Sequence, residues 1–232
     1  LYLNPIFEAH SNHRYNTADY LRIDPLLGTE QDFITLCQRA HEHGIKIILD
    51  GVFNHTGSDS LYFNKEGRYG PGGAYRDPRS PYRSWFCWKD AAANVYESWW
   101  GFQSLPKLNS RDESWREFLC GKNGIVRHWL RLGADGWRLD VVDEYPDELV
   151  RMIRQAARAE KPDALIIGEV WEDASCKEAY GEHRQYLMGH ELDSVMNYPL
   201  RQTILDFLLR GDGTAFRLRL WELLEHYPRP CW

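Results

Sequence analysis

The chain has 232 residues, a formal net charge of −6 and 27% charged side chains. That length holds one α/β domain, or one domain with an insertion, and buries a sizeable core. The negative balance argues against a nucleic-acid surface or a polybasic membrane anchor, and no apolar run approaches a bilayer span. Cys37, Cys87, Cys120, Cys176 and Cys231 are odd in number, scattered and without CxxC spacing. They argue against a disulfide framework or a zinc site and favour a reducing, cytoplasmic setting. The chain opens without Met on LYLN and stops at PRPCW, so it reads as an internal piece whose isolated form would be inactive.

Residues 1–4 read as a short apolar strand, and residues 5–28 as a polar loop containing His13, Arg14, Tyr15 and Asn16. Thr29 is a good N-cap with Asp32 three residues on, and Phe33, Leu36, Cys37 and Ala40 recur at helical spacing up to Gly44. Residues 45–49 (IKIIL) form the next strand and run into DGVFNHTG. Two apolar strands flanking one helix make a βαβ unit, hence a parallel sheet. From 58 to 109 periodicity vanishes while Gly, Pro, Tyr and Trp abound, which predicts a small inserted domain. A helix over 114–132 is expected to break near Gly121 and Gly124. Residues 133–144 (GADGWRLDVVDE) predict a turn and a short strand ending on charge. A helix then starts after Pro146, strands follow at 164–167 and 193–197, and helices at 200–209 and 214–227.

Four of these five strands end in polar groups: Asp50 with Asn54 and His55, Arg138 with Asp140, Glu169, and Asn197. That is where a parallel α/β barrel builds its active site. No GxGxxG follows the first strand, which disfavours a doubly wound sheet. The fold class expected is α/β, a partial (β/α)8 TIM barrel of about strands two to six with a small domain inserted after the third strand. The divisions are 1–57 for strands two and three, 58–109 for the insertion, and 110–232 for strands four to six with their helices.

Arg138 and Asp140 are two apart and share a strand face, so the arginine is expected to keep the aspartate ionised. Alone, the pair reads equally well as a structural salt bridge. Glu169 is bracketed by Ile167, Gly168, Val170 and Trp171, an apolar setting expected to raise its pKa. Carboxyls at the ends of adjacent strands can stand about 5–5.5 Å apart, the separation of a nucleophile and acid/base in retaining glycosidases. A lone His55 would more often be structural than functional.

DGVFNH (50–55), GWRLDVVDE (136–144) and GEVWED (168–173) resemble three signature regions of the alpha-amylase family of glycoside hydrolases, in the right order. LPKLN (105–109) looks like a fourth, in the form of the neopullulanase, cyclomaltodextrinase and maltogenic amylase subgroup. The resemblance implies Asp140 as nucleophile, Glu169 as general acid/base and Arg138 as the residue orienting the nucleophile. It places Tyr15 beneath the sugar at the cleavage point, with His55 and Asn109 also binding substrate. Val142, Asp143, Glu144 and Trp171 would face the leaving-group side, and Asp50 and Asn54 would support the site from within. The asparagine matching Asn54 binds calcium in some relatives, but this subgroup often lacks the ion, so no cofactor is expected. The implied substrate is an alpha-glucan oligosaccharide, cleaved by a retaining double displacement, with a homodimer as the assembly considered for the full-length protein. Asn16, Asp143 and Glu172 depart from the family pattern, and no His-Asp motif for a third catalytic aspartate follows Asn197. A non-catalytic carbohydrate-binding relative is the alternative, and a transglycosylase would use the same residues.

Overall fold

The apolar runs of the sequence become one parallel sheet, and its polar strand ends converge. The structure, a computed structural model, describes residues 1–231. It begins with an antiparallel pair, β1 (Phe7–Ala9) and β2 (Thr17–Ile23), followed by α1 (Glu30–Glu42) and β3 (Ile48–Gly51). Next come the short strands β4 (Trp88–Asp90) and β5 (Val95–Tyr96), then α2 (Glu113–Cys120), α3 (Ile125–Arg131) and β6 (Gly136–Leu139). The remainder is α4 (Asp147–Glu160), β7 (Leu165–Gly168), the hairpin β8 (Glu178–Ala179) and β9 (Glu182–His183), β10 (Ser194–Val195), α5 (Tyr198–Arg210) and α6 (Gly213–His226).

The sheet order is β10-β7-β6-β3, all parallel, and Tyr2 adds a parallel bridge to Ile48 at the β3 edge. The five strands expected from sequence therefore lie side by side in chain order. Local chemistry explains the helices between them. Thr29 and Asp32 form a reciprocal capping box on α1, and Asp112 caps α2 through the Trp115 N–H. Gly121 and Gly124 separate α2 from α3, the break that the sequence predicts. On α4 the apolar stripe buries Leu149, Val150, Ile153, Ala156 and Ala157.

One expectation needs correction. The segment 5–28 is not a plain loop: β1 and β2 pair within it, burying Phe7, Thr17, Ala18 and Tyr20. Tyr20 is tied into the core, its hydroxyl donating to the Val52 carbonyl at 2.7 Å. The aperiodic stretch 58–109 owes its order to rings rather than to long elements. Phe63, Phe86 and Tyr96 meet at centroid distances of 4.7 and 4.8 Å, and Arg83 lies 3.5 Å over the Trp88 ring.

The side chains on the two sheet faces divide cleanly. Trp137 and Leu139 face the helices, and the Trp137 indole donates to the Val126 carbonyl of α3 at 3.3 Å. Asp50 and Arg138 are register partners on β3 and β6 and face the other way. Register is held by close backbone approach at Gly136, where an added Cβ would stand 2.1 Å from the Leu165 carbonyl oxygen. Gly136→Ala must push β6 from β7, and overpacking of this kind costs about 1–3 kcal/mol. Urea denaturation of the full-length protein should show a lower midpoint with an unchanged slope; an unaltered midpoint would mean that the sheet tolerates the methyl.

Candidate active site

One guanidinium organises the site. Arg138 Nη1 donates to Asp50 Oδ1 at 2.8 Å and to Asp140 Oδ1 at 2.8 Å, while Nη2 pairs with Glu169 Oε1 at 3.0 Å. All four side chains are buried. The parallel register brings them together: Asp50 and Arg138 are partners across β3 and β6, and Leu139 pairs with Gly168 across β6 and β7. Asp140 and Glu169 are each one residue beyond those pairs. Tyr2 donates to Asp50 Oδ2 at 2.6 Å, and the Arg138 Nε–H meets the Met196 sulfur at 3.2 Å. Each of the five parallel segments thus supplies a member of the cluster, and the β6 segment supplies both Arg138 and Asp140.

The protonation pattern reverses the sequence expectation. Burial, reinforced by the Asp50 charge, pushes Asp140 up to about 8 against the opposing pull of Arg138. Burial also raises Glu169, but hydrogen bonds from Trp171 and Val141, the Arg138 charge and a bond from Tyr198 outweigh it and hold the carboxyl below the usual glutamate range. The cause is sharing. One positive charge serves three carboxyls, so it offsets the burial of Asp50 and Asp140 only in part, both are raised, and the cluster as a whole favours taking up a proton.

Asp140 and Glu169 border a cavity of about 550 Å³, whose wall includes Tyr15, His55, Trp99, Phe102, Leu105, Val141 and Trp171. The His55 ring is buried, lies near-parallel to Trp99 at 5.5 Å, and is pushed down to about 4 by burial, so it stays neutral. Asn54 Nδ2 lies 3.3 Å from His55 Nδ1, an arrangement in which the amide donates and Nε2 carries the ring proton. Neither His55 Nε2 nor Trp99 Nε1 has a protein partner, although both atoms are buried. The Trp99 N–H on the cavity wall is therefore available to a polar ligand.

Asp50, Asn54, Arg138, Asp140, Glu169, Tyr15, His55 and Trp171 all take the neighbourhood that the sequence suggested. Others do not. Val142 is fully buried, packed against Gly168, and belongs to the core. Asn109 holds a loop, donating to the Ser84 carbonyl and accepting from the Arg111 N–H, and does not line the cavity. Asp143 is committed to Tyr186 at 2.8 Å and Lys177 at 3.0 Å. Glu144 sits at the rim, accepting from Trp100, Lys107 and Tyr180. The reason is common to Val142, Asp143 and Glu144. The turn after Asp140 winds into a 3-10 helix, Val142–Glu144, which rotates successive side chains away from the strand face. Among the described residues no three His, Cys, Asp or Glu side chains converge as a metal set. Sequence reading missed Trp99, Phe102 and Leu105; the ring-dense ESWWGF stretch within an otherwise aperiodic segment was the available signal.

Residues 1–227 match the family described as alpha amylase, catalytic domain. The chain is 42% identical to an amylopullulanase of Thermoanaerobacterium saccharolyticum, over all of this chain and 20% of that protein. It is 37% identical to a cyclomaltodextrinase of Geobacillus thermopakistaniensis, over 99% of this chain and 37% of the relative. Among solved structures it resembles the ligand-free cyclic alpha-maltosyl-(1→6)-maltose hydrolase of Arthrobacter globiformis, with a TM-score of 0.84 and 32% identity, over 99% of this chain and 49% of that one. The chain thus spans half or less of the length of these proteins. With its cluster of Asp50, Arg138, Asp140 and Glu169 at the ends of adjacent parallel strands, the chain belongs to the alpha-amylase family of glycoside hydrolases.

Proposed function

We propose that this chain carries the nucleophile and the acid/base of an enzyme that hydrolyses alpha-glucosidic bonds of maltooligosaccharides, cyclodextrins or pullulan with retention of configuration. The observation that carries this reading is the sharing of Arg138 by Asp140 and Glu169 beneath an aromatic-walled cavity. Carboxyls held on one guanidinium belong to the close class, about 5–5.5 Å apart, with no room for the water that an inverting enzyme uses. In the complete protein, residues 1–57 and 110–232 would form strands two to six of an eight-stranded barrel, and 58–109 an inserted domain.

The chemistry follows from the cluster. The pair Asp140 and Glu169 titrates as a unit holding one proton. In the empty site that proton favours Asp140. A glycosidic oxygen set against Glu169 accepts a hydrogen bond only if Glu169 is protonated, so substrate draws the proton across and leaves Asp140 ionised. Asp140 then attacks the anomeric carbon while Glu169 protonates the leaving oxygen. In the second half Glu169 deprotonates water, which displaces Asp140 and restores the original anomer. Trp99 offers its free N–H to a sugar hydroxyl, His55 lines the same wall, and Tyr15 and Phe102 offer ring faces.

In the full-length enzyme, Asp140→Asn should lower kcat by several orders of magnitude; activity within about tenfold of wild type would end the assignment. The same variant tests the protonation state. The folded chain keeps a proton on Asp140 that the unfolded chain releases above 3.8, so this group's contribution to stability falls as pH rises from there toward about 8. Asp140→Asn should therefore melt higher than wild type near pH 8 and lose that advantage near pH 4. Equal melting at both values would show Asp140 ionised throughout.

Proton NMR of the first product reads the stereochemistry. The alpha anomer should come first, and early beta anomer would exclude the double displacement.

A further inference from the structure

Trp100 packs against Trp99 and Trp171 of the cavity wall, outside the carboxylate cluster. Its ring is 64% exposed, yet its backbone holds φ 49, ψ 28, a left-handed conformation that a bulky residue adopts only when its surroundings impose it. The surroundings are specific. The Trp100 indole N–H donates to Glu144 Oε1 at 3.3 Å, and Trp99 stacks on Trp100 at 5.2 Å. Glu144 is itself fixed, accepting from Lys107 at 3.2 Å and from Tyr180 at 2.6 Å on its other oxygen. On its far side Trp100 meets Trp171 edge-to-face, with centroids 5.4 Å apart and planes at 84°. Trp171 in turn donates to Glu169 Oε1 at 3.0 Å. One continuous series of contacts runs from Glu144 through two indoles to the Glu169 carboxyl.

We propose that Trp100 is a positioning residue for Glu169: anchored on Glu144, it holds the Trp171 indole in the orientation whose N–H bonds the acid/base carboxyl. The inference rests on the reading of Glu169 as acid/base. Trp171 is 43% exposed, so the core does not fix its side-chain torsions, and the ring of Trp100 is what it leans on. The charged and titratable groups around Glu169 are Arg138, Asp140 and Tyr198, with Asp50 beyond Arg138. Those around Trp100 are Glu144, Lys107 and Tyr180. No substitution of Trp100 alters any of these charges. A change in the titration of the pair after such a substitution therefore comes from altered packing, and Trp171 is the neighbour of Trp100 that bonds the Glu169 carboxyl.

The test is kcat and KM across pH, on a chromogenic maltooligosaccharide, for the full-length wild type and for Trp171→Phe, Trp100→Ala and Trp100→Phe. Trp171→Phe removes the donated bond that favours the Glu169 anion, so the alkaline limb of kcat/KM moves to higher pH. Trp100→Ala is expected to move the limb in the same direction and to lower kcat by about tenfold with little change in KM. Trp100→Phe keeps a ring but loses the bond to Glu144, and should fall between; it decides the matter alone if the alanine variant does not fold. A raised KM with wild-type kcat and an unmoved limb would make Trp100 a sugar-contacting ring and overturn the proposal. So would an unmoved limb in Trp171→Phe. Absence of alpha-glucan hydrolysis by the wild type would overturn the functional reading and the positioning role with it.

Discussion

The interaction on which the rest depends is the pairing of one buried arginine with three carboxyls. A buried ion pair gains little net stability, because desolvation consumes most of the Coulombic attraction, but removing one partner leaves a buried charge uncompensated. Arg138 has Asp50 and Asp140 on one nitrogen and Glu169 on the other, so it cannot move without stranding all three. This sets tight terms for the scaffold. The β3–β6–β7 register, the close approach at Gly136 and the Tyr2 bridge at the sheet edge must all hold for the guanidinium to reach its partners. A parallel sheet suits the task because strand ends lie about 4.8 Å apart, within reach of one planar fork.

The same sharing explains why the protonation states were not legible in the sequence. Reading Arg138 and Asp140 two residues apart reveals one pair, and a pair favours the ionised aspartate. Asp50 is 88 positions away in the chain and enters only through the sheet. Its charge, with burial, tips Asp140 the other way. Glu169 misleads in the opposite sense. Its sequence neighbours Ile167, Gly168 and Val170 are apolar, but they do not surround the carboxyl. The groups that do are a backbone N–H, an indole N–H, a phenol and the guanidinium, and all of them favour the anion.

The fold was more legible than the site because its signals are local. Capping at Thr29, the glycine break between α2 and α3, and the apolar stripe of α4 need no partner to be recognised. The parallel strands announce themselves as apolar runs ending in charge. The hairpin of β1 and β2 did not, because its buried face is set by contacts far along the chain: the Trp129 indole donates to the Tyr20 carbonyl, and the Tyr62 hydroxyl accepts from the Tyr20 N–H. Motif membership also promised too much at Asn109, Val142 and Asp143. Proximity in sequence to a catalytic strand end gives no direction once the backbone leaves the strand.

That departure is itself part of the site. Val141 has φ 42 and ψ 52, left-handed backbone that a β-branched residue adopts at a cost of about 1–3 kcal/mol. The conformation turns its N–H onto Glu169 Oε2 at 2.8 Å. It is held from both ends: Val142 packs against Gly168 of β7, and the Tyr145 hydroxyl bonds the backbone of Gly51 and Phe53 at the end of β3. The bend therefore serves both carboxyls at once. It ends the strand so that Asp140 stays with Arg138, and it supplies a fixed donor to Glu169 on the neighbouring strand. A relaxed, extended residue at this position would send the N–H back into the ladder direction and leave Glu169 Oε2 without that partner. Strain at Val141 is thus stored between two carboxyls that share one guanidinium.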